Sequence, residues 1–350
     1  MYEPTRNVLG LMSGTSLDGM DAAIFRFNKD HIQSWELLDN YEFNYPVHLK
    51  KLVKDCFNNS SLMEQTDIAF ARWTIECIQK VQSISKVPIH LIGTHGQTIF
   101  HEPANKFTFQ AGCLQTIASE VNIPVVTDFR IQDILLGGQG APLVPIGDYL
   151  LFSEYEAVLN LGGFSNVSMG SPMLGQGVKY AFDICPVNYV LNHFAAELGM
   201  SFDMGGKVAS SGAINQWVLD ELNSLNYYDK KPPKSLGGEW VEAHVLNKID
   251  YLSPQDALAT FCEHIAIQIG AILKNKRTLV TGGGAWNDYL LDRIRHYDVE
   301  LVRPRKEIVN FKEAIIFALL AQLRINKKPN VLGHTTGSGK NHSSGKVFWP

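Results

Sequence analysis

The stretch Gly10-Leu-Met-Ser-Gly-Thr-Ser-Leu-Asp-Gly-Met-Asp21 sets three glycines, three hydroxyls and two carboxylates in twelve residues. The residues before it, Asn7 to Met12, read as a buried strand. Those after it, Asp21-Ala-Ala-Ile-Phe-Arg-Phe27, alternate with period two and put Ala23, Phe25 and Phe27 on one face. The loop therefore joins two strands. A Walker A loop runs from a strand into a helix and ends in Gly-Lys-Ser/Thr; no lysine is present here, so that class is excluded.

Backbone N–H groups of such a loop can converge on an anion where no Cβ blocks the approach, and Gly14 and Gly19 supply that freedom. Ser13, Thr15 and Ser16 add hydroxyl donors. Asp18 and Asp21 would repel bare phosphate unless a divalent cation, Mg²⁺ with retained waters, stands between them. The composition thus points to a metal-nucleotide. A tight hairpin with Asx-type turns accounts for the loop equally well when it is taken alone.

Working outward, helical patterns occupy about 47–57 and 62–83, and the apolar strand Ile89-His-Leu-Ile-Gly93 opens into Thr94-His-Gly-Gln-Thr98. A helical stretch near 114–120, a strand 124–127 and the irregular segment Leu136-Gly-Gly-Gln-Gly-Ala-Pro142 follow. A lobe boundary is expected near residue 127, with a first lobe of 1–126 joined by the tail at about 332–350, and a second lobe of 127–331. The second lobe reopens with Ala157-Val-Leu-Asn-Leu161 and Gly162-Gly-Phe-Ser-Asn166, again followed by a strand, which is expected to end at Asp183 before a helix that starts after Pro186. The match to the first hairpin is short, but it suggests two similar lobes. Helical patterns at 254–274, 287–296 and 311–326 flank the strand 278–281 and the triple glycine Gly282-Gly-Gly284. Strands alternating with helices give the α/β class. Three glycine loops at strand ends fit a nucleotide clamped in a cleft. The tail Gly333-His-Thr-Thr-Gly-Ser-Gly-Lys340 mimics a P-loop, but its glycine spacing is wrong and Asn341 replaces Ser/Thr.

At 350 residues the chain exceeds what one core usually supports, so two lobes are the expectation. Hydrophobic residues at 45% and charged residues at 19% are those of a folded globular protein. A net charge of −4, with no basic run longer than Lys230-Lys231-Pro-Pro-Lys234, lacks the footprint of a nucleic-acid binder. Five scattered cysteines without a C-x-x-C pair argue against a disulfide framework or a cysteine zinc site, and a reducing cytoplasm fits them. No secretory leader and no membrane-spanning apolar run are expected.

Asp183 closes the apolar run Tyr180-Ala-Phe182; there a carboxylate can act as a general base, or it can serve the N-terminus of the next helix. Asp128-Phe-Arg130 offers a guanidinium to a carboxylate-bearing ligand, or an internal ion pair. His95, His101 and Glu102 match no standard ligand spacing, and hydrogen-bonded structural histidines are the expectation.

With Gly10 to Asp21, Thr94-His-Gly-Gln-Thr98 followed by His101-Glu-Pro103, Asp128-Phe-Arg130, Leu136-Gly-Gly-Gln-Gly-Ala-Pro-Leu-Val-Pro145 and Val158-Leu-Asn-Leu-Gly-Gly163 in order, the sequence resembles the anhydro-N-acetylmuramic acid kinases. The resemblance runs from residue 8 to about 320. It implies two ribonuclease-H-like lobes around a central ATP cleft, as in the hexokinase, Hsp70 and actin superfamily, and a homodimer. It implies an enzyme of cell-wall recycling that opens 1,6-anhydro-N-acetylmuramic acid with water while phosphorylating O6, giving N-acetylmuramic acid 6-phosphate and ADP.

Carried over by position, Gly14, Thr15, Ser16, Leu17, Asp18, Gly19, Met20 and Asp21 hold the ATP phosphates and the Mg²⁺ shell, Asp18 reaching the metal through water. Gly162, Gly163, Gly282, Gly283 and Gly284 lie against the nucleotide. Asp183 is the base, and Gln97, Arg130 and Glu313 are sugar-site candidates. The sequence departs from the family where Phe-Asp-Thr-Gly-Pro-Gly-Asn becomes Phe182-Asp-Ile-Cys-Pro-Val-Asn188, where an Asp becomes Asn192, at Gly112-Cys113, and at Leu236-Gly-Gly-Glu239. Two alternatives follow: a kinase of the same fold for another amino sugar, and a nucleotide-binding regulatory protein without catalysis.

Overall fold

A computed structural model describes residues 5–14, 17, 19–28, 31–170, 177, 180–232 and 234–350. Among them the chain forms two compact units, one of residues 1–151 with 311–350 and one of residues 152–310.

The first unit is built on a six-stranded sheet. β1 (Thr5–Ser13), β2 (Gly19–Asn28) and β3 (Trp35–Asn44) form an antiparallel meander. β4 (Leu91–Thr94) lies parallel to β1 on its other side, and β7 (Val125–Thr127) parallel to β4. β5 (Gln97–Glu102) and β6 (Phe107–Ala111) make a separate hairpin between them in sequence. β1 is central, so Val8, Leu9 and Leu11 are buried on both faces, which is why this strand reads as an unbroken apolar run. The helices Val47–Asn58 and Met63–Ile84 cover one face with Leu49, Val53, Phe70, Ile75 and Ile78.

The second unit repeats the plan. β8 (Ala157–Leu161), β9 (Phe164–Met169) and β10 (Tyr180–Pro186) form the meander, β11 (Arg277–Thr281) lies parallel to β8, and β12 (Glu300–Val302) parallel to β11. Both sheets therefore carry the order third-second-first-fourth-fifth, the ribonuclease-H-like arrangement, with β13 (Lys346–Phe348) added antiparallel to β7 in the first. The likeness of the two hairpins at Val8 and Val158 is thus a likeness of whole sheets.

Two expectations need correction. The boundary anticipated near 127 falls inside the first unit, because β7 is hydrogen-bonded to β4 on one edge and to β13 on the other. Residues from Phe311 also belong to the first unit. The reason is close packing: a Cβ on Gly10 would sit 1.9 Å from the Ala314 carbonyl oxygen, and one on Gly93 2.2 Å from that of Phe317. These glycines are register partners on β1 and β4, and together they admit the backbone of the helix Lys306–Ile325. The second correction concerns apolar length. The helix Pro254–Leu273, capped by the Ser253 hydroxyl and started by proline, is long and apolar enough to cross a membrane by length and composition; 72% of that stretch is buried inside the protein.

The tail's P-loop look has a structural explanation. The Gly333 carbonyl accepts from the N–H groups of Gly337 and Gly339, and Gly333 packs on the Lys340 backbone, closing a turn upon itself. Thr336 then bonds the fully buried Asp133 carboxylate at 2.7 Å.

Candidate active site

In the first unit, the loop after β1 turns through a bond from Leu17 N–H to the Gly14 carbonyl at 3.2 Å. Leu17 has φ 56° and is 3% exposed, so its side chain anchors the loop in the core, as that of Met20 does. Thr15, Ser16 and Asp18 lie outside the described residues, and with them the metal reading of Asp18. Gly19 has a packing role: a Cβ there would meet the Phe43 carbonyl at 2.4 Å.

Ser13, Tyr45 and Gln97 lock the start of this loop. The Gln97 Oε1 accepts from the Ser13 hydroxyl at 2.8 Å and the Tyr45 hydroxyl at 2.6 Å, and Gln97 has no exposed surface. The sequence suggested Gln97 as a sugar contact, whereas its amide oxygen is spent internally, holding β5 to the end of β1.

Asp21 is half-buried and lies directly across from Glu42 on β3. Burial, then the charges of Glu42 and Glu313, push its carboxyl up to about 6. Glu42 was invisible to sequence reasoning, because only the register of β2 on β3 brings the two carboxylates together. Glu313 keeps exposed surface, although its carboxyl sits among crowding neighbours. Desolvation by its surroundings raises its carboxyl, against the favourable charges of Lys312 and Arg130 and with the added repulsion of Asp148. Beside it, Lys312 and Asp148 form a buried ion pair at 2.9 Å.

Arg130 Nε donates to His95 Nε2 at 3.0 Å and its Nη1 to the Gly140 carbonyl at 3.1 Å. Burial pulls the guanidinium down to about 10 while Glu313 opposes the change. His95 is buried, and desolvation followed by the Arg130 charge lowers it to about 3, so it is a neutral imidazole whose Nδ1 bonds the Gly96 carbonyl at 3.0 Å. The Asp128–Arg130 ion pair weighed from sequence does not form; Asp128 pairs with Lys346 at 2.7 Å. The first unit therefore brings together Asp21, Glu42, Glu313 and Arg130 through their mutual charge interactions. It does not bring Gln97 to the surface.

In the second unit, Asp183 lies within β10 rather than at its end, and the helix Asn188–Glu197 has Val187 at its N-cap position with no side-chain cap bond, so the helix-start role falls away. A register shift occurs between Asp183, opposite Asn166, and Cys185, opposite Ser165. Such a bulge re-aims side chains. The Asp183 carboxylate accepts from Leu236 N–H at 2.9 Å; burial raises its pKa and this bond partly offsets the rise. The family departures Ile184, Cys185 and Val187 are 2%, 0% and 0% exposed: they repack the core and present nothing outward.

The glycine loops of this unit converge. Gly282 (φ 81°) and Gly284 press on Leu161, with would-be Cβ contacts of 2.8 and 2.7 Å. Asn188 donates to the Leu161 carbonyl at 3.0 Å, while the carbonyls of Gly162 and Gly163 accept from N–H groups of residues 187–189. Gly163 faces open space, and the nearest atom to a Cβ on Gly283 is 3.6 Å away. Two glycines here thus satisfy packing, and two leave room at the backbone for a ligand.

Comparison with known proteins matches residues 6–350 to the family model described as anhydro-N-acetylmuramic acid kinase. Three similar relatives carry that same name. The one from Sulfurimonas denitrificans is 32% identical, covering 97% of this chain and 98% of its own. The one from Aliivibrio fischeri is 34% identical, with 97% and 98% covered, and that from Coxiella burnetii 33%, with 99% and 98%. Among solved structures, component A of (R)-2-hydroxyglutaryl-CoA dehydratase from Acidaminococcus fermentans is 12% identical and aligns over 92% of this chain and 100% of its own, with a TM-score of 0.48.

Proposed function

The chain belongs to the anhydro-N-acetylmuramic acid kinase family, and from that premise we propose how its residues carry out an ATP-dependent opening and phosphorylation of 1,6-anhydro-N-acetylmuramic acid. The observation that carries the reading is Asp183: a half-buried carboxylate at a β-bulge, in the unit that also holds two glycine loops with open backbone. Its raised pKa brings it toward the range useful to a general base, and the Leu236 N–H keeps the ionised form accessible.

In this reading Asp183 takes a proton from water as the water oxygen bonds C1 of the sugar. The C1–O6 bond breaks, O6 takes the γ-phosphoryl group, and ADP leaves with N-acetylmuramic acid 6-phosphate as the second product. The backbone at Gly14, Leu17, Gly19 and Met20, and at Gly162, Gly163 and Gly282–Gly284, is proposed to contact ATP, the chain's part being positioning of the phosphates. Arg130, held by His95 and Gly140, is proposed to pair with the lactyl carboxylate, with Glu313 beside it on a sugar hydroxyl. Gln97 supports the loop from behind.

Among the described residues no group of three or more His, Cys, Asp or Glu could hold a metal ion. A magnesium bound chiefly by phosphates and water is part of the proposal, with Asp21 in its outer shell, where a cation would relieve the repulsion from Glu42 and Glu313. When bound, the ion supplies neutralisation of phosphate charge. We place the enzyme in the cytoplasm, as a homodimer, serving cell-wall recycling.

The test is incubation with 1,6-anhydro-N-acetylmuramic acid, ATP and Mg²⁺ in ¹⁸O-water. A 6-phosphorylated product labelled at C1 is expected. An unlabelled phosphosugar, or ADP release only with a different amino sugar, would overturn the reading.

A further inference from the structure

In the second unit, Tyr227, Lys234 and Leu236, from one segment of the chain, bond the backbone N–H, the backbone carbonyl and one carboxylate oxygen of Asp183. The Asp183 N–H donates to the Lys234 carbonyl at 3.1 Å, the Asp183 carbonyl accepts from the Tyr227 hydroxyl at 2.6 Å, and the carboxylate accepts from Leu236 N–H at 2.9 Å. The segment is closed upon itself by Lys234, whose Nζ donates to the carbonyls of Tyr227 and Tyr228 at 3.2 and 3.3 Å and lies 4.6 Å from the Tyr227 ring centre. The Tyr227 ring is buried and packs against Trp240 at 5.3 Å.

On the other side of the bulge, the Ser165 hydroxyl accepts from Cys185 N–H at 3.1 Å and lies 2.9 Å from the Cys185 carbonyl. The bulge is thus held at two points, the Asp183 carbonyl by Tyr227 and the N–H and carbonyl of Cys185 by Ser165. A cavity of about 400 Å³ lined by Tyr227, Lys230, Trp240 and His244 borders the same segment. The hydroxyl-to-carbonyl bond joins the Lys234 and Leu236 backbone bonds in setting the distance of the segment from Asp183.

We propose that Tyr227 is a positioning residue for Asp183, its hydroxyl holding the bulged peptide so that the carboxylate stays on Leu236 N–H in one orientation. The proposal rests on the reading of Asp183 as the base. A phenol suits the task because the ring is locked by its neighbours, so the donor sits at a fixed height above the strand. Misplacing a reacting group by about 1 Å costs about a hundredfold in rate.

The test uses the full chain with ATP, Mg²⁺ and 1,6-anhydro-N-acetylmuramic acid, following kcat, the KM for ATP and the dependence of kcat on pH. Tyr227→Phe keeps the ring and removes the hydroxyl. The expected result is a ten- to hundredfold fall in kcat, a KM for ATP within twofold of wild type, and an acid limb moved to higher pH as the Leu236 bond to the carboxylate loosens. Tyr228→Phe loses a hydroxyl bonded to His264 instead, at 2.8 Å, and is expected to leave the acid limb in place. If Tyr227→Phe does not fold, Lys234→Met, which opens the segment's closure, replaces it with the same expected direction. Asp183→Asn separates the two claims. If that variant is inactive while Tyr227→Phe matches wild type in kcat and acid limb, positioning by Tyr227 is overturned and the base stands. If Asp183→Asn keeps wild-type turnover, both fall.

Discussion

Replacing Asp21 by asparagine should stabilise the protein while impairing the reaction. Asp21 faces Glu42 across the β2–β3 ladder and feels Glu313 as well, and its carboxyl moves from 3.8 to about 6. In a dry site that displacement corresponds to about 3 kcal/mol; Asp21 is half-buried, and solvent screening brings it to about 1 kcal/mol. The sign follows from proton uptake. Below about pH 4 the carboxyl is protonated in both folded and unfolded chains, and its ionisation imposes no penalty. Between about pH 4 and 6 the unfolded chain releases the proton while the folded one retains it, so wild-type stability declines, and above pH 6 the full penalty persists. Asp21→Asn does not titrate. Its advantage should be absent near pH 4, grow to pH 6 and then stay level. Urea unfolding at pH 4.5, 5.5 and 7.5 measures it; with a slope of about 2–3 kcal/mol/M, the midpoint should rise by about 0.3–0.5 M at pH 7.5. The gain should shrink in a Glu42→Gln background, because one of its causes is gone. An equal gain at pH 4.5 and 7.5, or none at 7.5, would refute the assignment. Turnover should fall in the same variant, the opposition of stability and activity expected where charge is held for a ligand.

The remaining predictions concern glycines. Gly10→Ala and Gly93→Ala each drive a methyl into a carbonyl of the helix Lys306–Ile325, at 1.9 and 2.2 Å, and should each destabilise by about 3 kcal/mol or more in urea titration; a loss under about 1 kcal/mol would mean the helix shifts freely. Gly282→Ala, at φ 81° and 2.6 Å from Asn160 Oδ1, should also destabilise, by about 1–3 kcal/mol. Gly283→Ala, with its nearest neighbour at 3.6 Å, should leave the urea midpoint unchanged and weaken ATP binding by calorimetry. Unchanged ATP affinity in a folded Gly283→Ala variant would remove this loop from the nucleotide site.

Much of the fold was legible because it is written locally. The period-two run Asp21 to Phe27 and the apolar run before it define a hairpin within about twenty residues, and β8–β9 repeats it. The boundary between units was not legible, since β7 looks like any short strand until β13, more than two hundred residues later, closes its free edge. Asp183 was found from its place after an apolar run, but its setting within the strand depends on a bulge that alternation cannot show.

The sequence by itself determined which groups exist for chemistry: glycine loops at strand ends, a carboxylate closing the apolar run Tyr180-Ala-Phe182, and the motif order that marks the family. The tertiary structure alone decided how each is used. It turned Gly10, Gly19, Gly93 and Gly282 toward packing, left Gly163 and Gly283 open, buried Gln97, set Glu42 opposite Asp21 and placed Tyr227 on the Asp183 carbonyl. The physical reason is that packing, register and desolvation are pairwise quantities. A residue carries its donors and charge in the sequence, but its partner's distance, and the water lost on meeting it, exist only once the chain has folded.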